Sequence, residues 1–377
     1  MRIAIDATGI SAYQTGTVTY LLEILAQWNR DTEIHHEFIV YCAPAAKHHF
    51  ERLSLDKRFR FEKAPSAKLA RMVWQQTLLP YSLWRNQVDV HWGPGFILPC
   101  LPICPMAVTV HDMTFDLMPE VHEPIKRFYF PFMIRRSIKR ARCVFAISNA
   151  TAKDLQRLIP ASVGKTQVTP LAARSFSVKK SDAGAPSSDS HASASMSAGK
   201  PDIALQPYVL FVGTLEPRKN LDRLLQAWQS LPAAVRGQHR LVVIGIKGWM
   251  VDQLCEQRYE SVDFLGHVSD EALGEYVRGA TCFAYPSLYE GFGLPVIEAM
   301  AAGVPVLTSE IGATQEVAHG AALLVDPTSI SSIAEGLSRL LLDPVLREQL
   351  SAAGPVRAAE FSWARTASLT LRGLEGI

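Results

Sequence analysis

The amino-acid sequence predicts an α/β protein built as two parallel-sheet domains that face each other across a central cleft. Three observations predict it. Residues 181–200 carry a single bulky apolar side chain, Met196, so they cannot offset their ordering entropy and read as part of a flexible linker. On either side, short Val-, Ile- and Phe-rich strands alternate with single helical stretches. Most of these strands are apolar almost throughout, the mark of strands covered on both faces. At 377 residues the chain is also too long for one ordinary core. The expected division is a first Rossmann-like domain over 1–176, a linker over 177–206, a second Rossmann-like domain over 207–360, and a closing segment over 361–377.

In the first half, strands are expected at 2–6, 38–42, 88–92, 107–111 and 143–147, with helices at 18–28 and 125–141. Ser148 follows a strand and stands where a helix over 149–158 needs its N-cap. In the second half, strands are expected at 208–212, 241–244, 263–265, 282–285 and 305–308, with helices at 221–229, 272–278 and 295–302. Residues 361–371 read as a last helix. Sheets of this kind bind ligands beyond the carboxyl ends of their strands. Functional residues are therefore expected in the loops just after strands, facing the cleft.

Composition excludes several classes. With 38 Lys and Arg against 36 Asp and Glu, the net charge of +2 gives no global case for nucleic acid. The six cysteines are scattered, several in strand-like runs, which is the pattern of buried reduced thiols. Cys100 and Cys104 have no second pair to complete a metal site. Residues 2–6 read as a strand and not as a signal peptide, and no apolar run approaches the ~20 residues of a spanning helix. The protein is expected to be made and kept in the cytoplasm, with peripheral contact on the cytoplasmic face of the inner membrane as an added reading.

Three loops could carry chemistry. In Glu290-Gly291-Phe292-Gly293-Leu294-Pro295, a Gly-containing loop leads from a strand into a helix with Pro near its start. The N–H groups of Phe292, Gly293 and Leu294 would face the cleft at a helix N-terminus, a ready anion site. Glu290 precedes that helix and Glu298 lies about one turn in, so two carboxylates can reach different hydroxyls of one extended ligand. Read alone, the loop fits equally well an acid that merely complements the helix dipole. Gly213 follows the first strand of the second half, with Arg218 and Lys219 where the next helix begins; a bidentate fork and a compact charge together suit a diphosphate. His111 and Asp112 end a buried strand of the first half, where an isolated His is more often structural.

Glu290 and Glu298, with the intervening Gly-Phe-Gly-Leu-Pro and the trailing Ala-Met-Ala-Ala-Gly-Val-Pro-Val, closely resemble the donor-binding motif of family 4 glycosyltransferases. The resemblance covers nearly the whole chain apart from the linker. It implies the GT-B fold and transfer with retention. Glu290 would bind hydroxyls of the transferred hexose and Glu298 the ribose. Arg218 and Lys219, beside Gly213, would stabilise the departing nucleotide diphosphate, and His111 would touch the reacting sugar, with Asp112 orienting it or binding acceptor. Gly16 and Thr17 stand where the family's first loop meets the diphosphate, although the family more often has two glycines there. Val268 lies where the family holds the base by its backbone, and the loop over 245–249 resembles another near the nucleotide. The terminal helix would cross back to the first domain and couple the two as the cleft closes.

No Asp-x-Asp metal motif follows a strand in the first half, so neither metal nor cofactor is expected. The stretches at 5–7, 111–113 and 245–249 resemble mannosyltransferases that build O-antigens or exopolysaccharides. GDP-mannose is the first choice of donor and a GDP-deoxyhexose such as GDP-rhamnose the second, with UDP-sugars open. The acceptor would be a lipid-linked saccharide, with residues 66–80, including Arg71, Trp74 and Gln75, as one wall of its site. Residues 126–142 mix aromatics with cations and read equally as a surface for an anionic membrane or as a core helix with a solvated basic face. A dehydrogenase is a poor fit, because neither Gly245–Gly248 nor Gly291–Gly293 has the Gly-x-Gly-x-x-Gly spacing. A non-catalytic module of the same fold and a nucleotide-sugar epimerase remain alternatives.

Overall fold

The computed structural model describes residues 1–10, 15–122, 124–174, 206–246, 248 and 259–377. Most of the expected linker over 177–206, part of the first loop, and Lys247 and Trp249 therefore lie outside the described residues.

Two all-parallel sheets organise the chain. The first has seven strands: β1 (Arg2–Asp6), β2 (Glu37–Cys42), β3 (Phe59–Lys63), β4 (Val90–Gly93), β5 (Met106–Val110), β6 (Cys143–Ala146) and β7 (Thr166–Val168), in the order β3-β2-β1-β4-β5-β6-β7. The second has six: β8 (Tyr208–Val212), β9 (Arg240–Ile244), β10 (Val262–Gly266), β11 (Cys282–Tyr285), β12 (Val306–Ser309) and β13 (Leu323–Val325), in the order β10-β9-β8-β11-β12-β13. Strand order reverses between β1 and β4 in one sheet and between β8 and β11 in the other. Loops leaving a reversal point diverge to opposite faces and open a crevice. The loops after β1, β8 and β11 carry Gly16, Arg218 with Lys219, and Glu290. Edge strands β3, β7 and β13 add to the ten strands expected from sequence.

Each sheet is covered on both faces. Ile3, Ile5, Trp28, Phe38 and Trp92 fill the first core, with Trp28 stacked on Phe38 at 5.1 Å. Phe211, Leu224, Trp228, Phe283 and Tyr285 fill the second. The helix Trp363–Glu375, capped by Ser362, returns to the first domain and packs on the helix Gly16–Arg30. There Trp28 Nε1 donates to Ala367 O at 3.0 Å, and His36 Nε2 meets Glu375 Oε1 at 2.8 Å. Gly373 sits so close to β6 that a Cβ would lie 2.5 Å from Phe145 Cε1.

The helix Pro124–Arg140 buries Met133, Ile134, Ser137 and Ile138, while Phe128 and Phe132 face outward. Neighbouring helices Lys68–Gln76 and Leu78–Arg85 also present Leu69, Val73, Tyr81 and Trp84 to solvent. No helix among the described residues is long and apolar enough to cross a membrane.

Candidate functional site

A cavity of about 400 Å³ lies between the domains, at the carboxyl ends of β1, β5, β8 and β11. Two helix N-termini open onto it. Gly16 and Thr17 begin the helix Gly16–Arg30, capped by Thr15, whose Oγ1 accepts from Val18 N. Opposite, Gly293 adopts φ of +100°, a left-handed conformation that glycine takes at little cost. It turns the chain into the helix Leu294–Ala301. The two ends nearly touch: a Cβ on Gly16 would lie 3.4 Å from Leu294 Cδ1. The N-terminal ends and dipoles of two helices therefore converge on one space, which favours an anion there.

Glu290 is the hub of the charged groups. Its Oε1 accepts from Lys219 Nζ at 2.6 Å and its Oε2 from Arg218 Nη1 at 3.0 Å. Burial alone would push the Glu290 carboxyl up, but the charges of Lys219 and Arg218 win and hold it at about 2. Burial and the neighbouring Arg218 charge pull Lys219 down, with Glu290 working against them. Lys219 Nζ also donates to Tyr285 Oη at 2.5 Å, and Arg218 pairs with Glu216 at 2.7 Å. Burial opposes the Arg218 charge, yet Glu290 and Glu216 together raise its pKa. Gly213 lies beneath this cluster, with Tyr285 3.7 Å from where a Cβ would be. Gly245 backs onto it so tightly that a Cβ would lie 1.8 Å from Gly213 O.

His111 is 9% exposed and lines the same cavity from the first domain. Its Nε2 lies 2.6 Å from Pro94 O, and since a carbonyl only accepts, that nitrogen carries the proton. The neutral ring then keeps Nδ1 as an acceptor. Burial pushes the His111 pKa below its ordinary value; the Pro94 carbonyl and Asp112 act in the other direction. Asp112 is turned into its own loop, with Oδ1 accepting from Thr114 N and Oγ1 at 2.9 and 2.6 Å.

Of the residues singled out from sequence, Gly16, Thr17, His111, Gly213, Arg218, Lys219, Glu290, Gly291, Phe292, Gly293, Leu294 and Glu298 all line this cavity. Val268 does not. It is half-buried after β10, one residue before the Ser269 cap of the helix Asp270–Gly279. Arg71 and Gln75 instead line a smaller neighbouring cavity with Asp6, whose wall shares Thr17 with the first. Gln75 Nε2 donates to Asp6 Oδ2 at 2.5 Å, and Arg71 Nη1 to Thr8 O at 2.8 Å.

Sequence reasoning missed Arg174. It sits after β7 and reaches Glu298 at 2.6 Å and Asp270 at 3.3 Å, so a third cation lines the cavity beside Arg218 and Lys219. Tyr285 and Tyr289 were missed as well; only the position of Tyr285 at a strand end hinted at a role. Among the described residues, no group of three or more His, Cys, Asp or Glu is arranged to hold a metal ion.

Residues 15–172 match the family described as Glycosyltransferase Family 4, and residues 199–357 match Glycosyl transferases group 1. O-antigen chain mannosyltransferase B of Escherichia coli is 33% identical over 287 residues, which cover 75% of this chain and 73% of that protein. A phosphatidyl-myo-inositol mannosyltransferase of Mycobacterium leprae is 33% identical over 196 residues, 50% of this chain and 51% of its own length. Sucrose-phosphate synthase from Thermosynechococcus elongatus superposes with a TM-score of 0.73 over 98% of this chain and 97% of that one, at 20% identity. The fold is GT-B.

Proposed function

The chain belongs to the family 4 glycosyltransferases, and from that premise we propose that it moves mannose from GDP-mannose onto a lipid-linked saccharide such as a growing O-antigen. The observation that carries the reading is the Glu290–Lys219–Arg218 cluster beside two facing helix N-termini. The names of the E. coli and M. leprae relatives support the choice of sugar.

A diphosphate entering between the helix ends competes with Glu290 for Lys219 and Arg218. Its arrival frees the carboxylate for sugar hydroxyls while the cations take up the charge of the leaving group. The C1–O bond to the phosphate then breaks as the acceptor oxygen bonds C1 from the same face. The acceptor's proton passes to the leaving phosphate, and configuration is retained. Glu298 holds the ribose, and neutral His111 offers Nδ1 to a hydroxyl of the transferred sugar. None of these steps needs a metal ion. Val268, which does not line the cavity, is the backbone contact for the base in this reading. The acceptor approaches through the cavity lined by Asp6, Arg71 and Gln75, beside the exposed Leu69, Val73, Phe128 and Phe132, which would rest on an anionic membrane.

A panel of GDP-, UDP- and ADP-sugars, read by slow hydrolysis and thermal stabilisation, tests the donor. Response to GDP-mannose alone, lost in Glu290→Ala and Lys219→Ala, supports the reading; preference for a UDP-sugar, or no response, refutes it. An anomeric assignment showing inversion would sink retention. Liposome flotation without salt-sensitive binding would remove the membrane contact.

A further inference from the structure

The loop that carries Glu290 is gripped from both domains. On its own side, Arg218 and Lys219 hold the carboxylate, and Arg218 Nη1 also donates to Tyr289 O at 3.3 Å. On the other side stands the N-terminus of the helix Asn149–Leu158, which belongs to the first domain. Gly291 O accepts two hydroxyls from it, Ser148 Oγ at 2.6 Å and Thr151 Oγ1 at 2.9 Å. Tyr289 Oη donates to Asp154 Oδ2 at 3.1 Å and accepts from Met113 N at 3.2 Å. The residues on both sides of Glu290 are thus fixed by the opposite domain.

The same helix end is completed from across the cleft. The first N–H groups of a helix have no partner within it. Here Asn149 N and Ala150 N donate to Glu316 Oε1 and Oε2 at 2.9 and 2.8 Å, and Asn149 Nδ2 adds a third bond at 2.9 Å. Glu316 belongs to the second domain, on the helix Gly312–Ala318, whose own end is steadied by Arg357 on the carbonyls of Glu316 and Val317. A carboxylate at a helix N-terminus makes charge-assisted bonds and meets the positive end of the dipole. Ser148 does double duty: its Oγ accepts from Thr151 N at 2.9 Å as the N-cap while its proton goes to Gly291 O. A separation of the domains by a few Å breaks this whole set at once.

We propose that the N-terminus of the helix Asn149–Leu158 is a socket for the catalytic loop, locked by Glu316, so that Glu290 reaches its working position only when the domains are closed. Ser148, Thr151, Asp154 and Glu316 are positioning residues that act through Glu290. The proposal rests on the donor-site reading above. It predicts a larger loss in turnover than in donor affinity. Arg218, Lys219, Gly293 and Glu298 hold the donor from the second domain even when the contacts from Gly16 and His111 weaken, while turnover needs the socket.

The test compares wild type with Glu316→Gln, Glu316→Asp and Thr151→Val in the full-length protein. Loss of the lock should lower kcat by roughly 10²-fold, the cost of about 1 Å of misplacement, with donor KM rising by no more than about tenfold as the first-domain contacts weaken. Glu316→Asp, which keeps the charge, should recover part of the rate. Small-angle scattering should show Glu316→Gln and Thr151→Val more expanded than wild type, at thermal midpoints within a few degrees of it. Unchanged kcat with unchanged scattering overturns the socket, as does a fall in thermal midpoint that accounts for the whole loss of rate. Were wild type itself inert toward every nucleotide-sugar, the donor reading would fail, while the scattering comparison would still decide the socket.

Discussion

Gly291→Ala is the smallest change that should separate the domains at the reacting end of the cleft. A Cβ at this position would lie 1.7 Å from His111 O and 3.2 Å from Asp112 Cβ, whereas real Cβ atoms essentially never come within 3.0 Å of such a neighbour. The obstacle is backbone at the end of β5, which cannot swing aside as a side chain would. Either the loop or the strand end must retreat by more than about 1 Å to bring 1.7 Å up to 3.0 Å, and a misplacement of about 1 Å already costs ~10²-fold in rate, close to 3 kcal/mol of barrier. The hydroxyl bonds to Gly291 O, 2.6 and 2.9 Å long, would stretch toward or past the ~3.5 Å at which such contacts cease to count. Neither sheet is touched, so both domains should stay folded. The assay is sugar release from the donor at saturation, alongside thermal unfolding. A variant with the kcat of wild type would refute the reasoning, since it would mean that close approach of Gly291 to His111 is no part of the working state.

Three other outcomes are expected. Glu290→Gln should abolish turnover, and it should also change acid stability. The folded carboxyl titrates at about 2 against an ordinary 4.5, so its contribution is present above 4.5 and lost as pH falls toward 2. The stability gap between wild type and variant should close over that window, as read by chemical denaturation at stepped pH. Because burial lowers the His111 pKa, the ring stays neutral until pH falls below its ordinary 6.5; the acid limb of a donor-hydrolysis profile should lie below that value and vanish in His111→Gln. Gly373→Ala should destabilise the first domain by about 1–3 kcal/mol through overpacking against Phe145 and Gln167, seen as a thermal midpoint lowered by several degrees.

What the sequence revealed and what it hid have a common physical origin. β1, β8 and β11 run over the residues that their apolar stretches mark, because a strand buried on both faces shows its whole length in one unbroken run. β7 and β13 have three residues each, too few to display any period, and β3 mixes Phe59 and Phe61 with Arg60, Glu62 and Lys63 as an edge strand does. The donor loops were readable because each packs its glycines, cations and carboxylates within a few consecutive positions. Arg174 was not, since its partners Glu298 and Asp270 lie 124 and 96 residues away. Ser148 was visible as a helix cap, but the second bond of its hydroxyl, to Gly291, depends on how the domains meet.

The return of the helix Trp363–Glu375 to the first domain has a bearing on synthesis. Trp28, Pro170 and Ala173 find partners in Ala367, Thr366 and Trp363. A nascent chain has therefore made every strand of its first sheet well before the cover for that sheet leaves the ribosome. At 5–20 residues per second, roughly ten to forty seconds separate the two events. Throughout that interval the part of the helix Gly16–Arg30 that the last helix will cover, Trp28 included, stands without that cover. Translation of the second domain is thus an interval in which this uncovered surface is open to holdase chaperones.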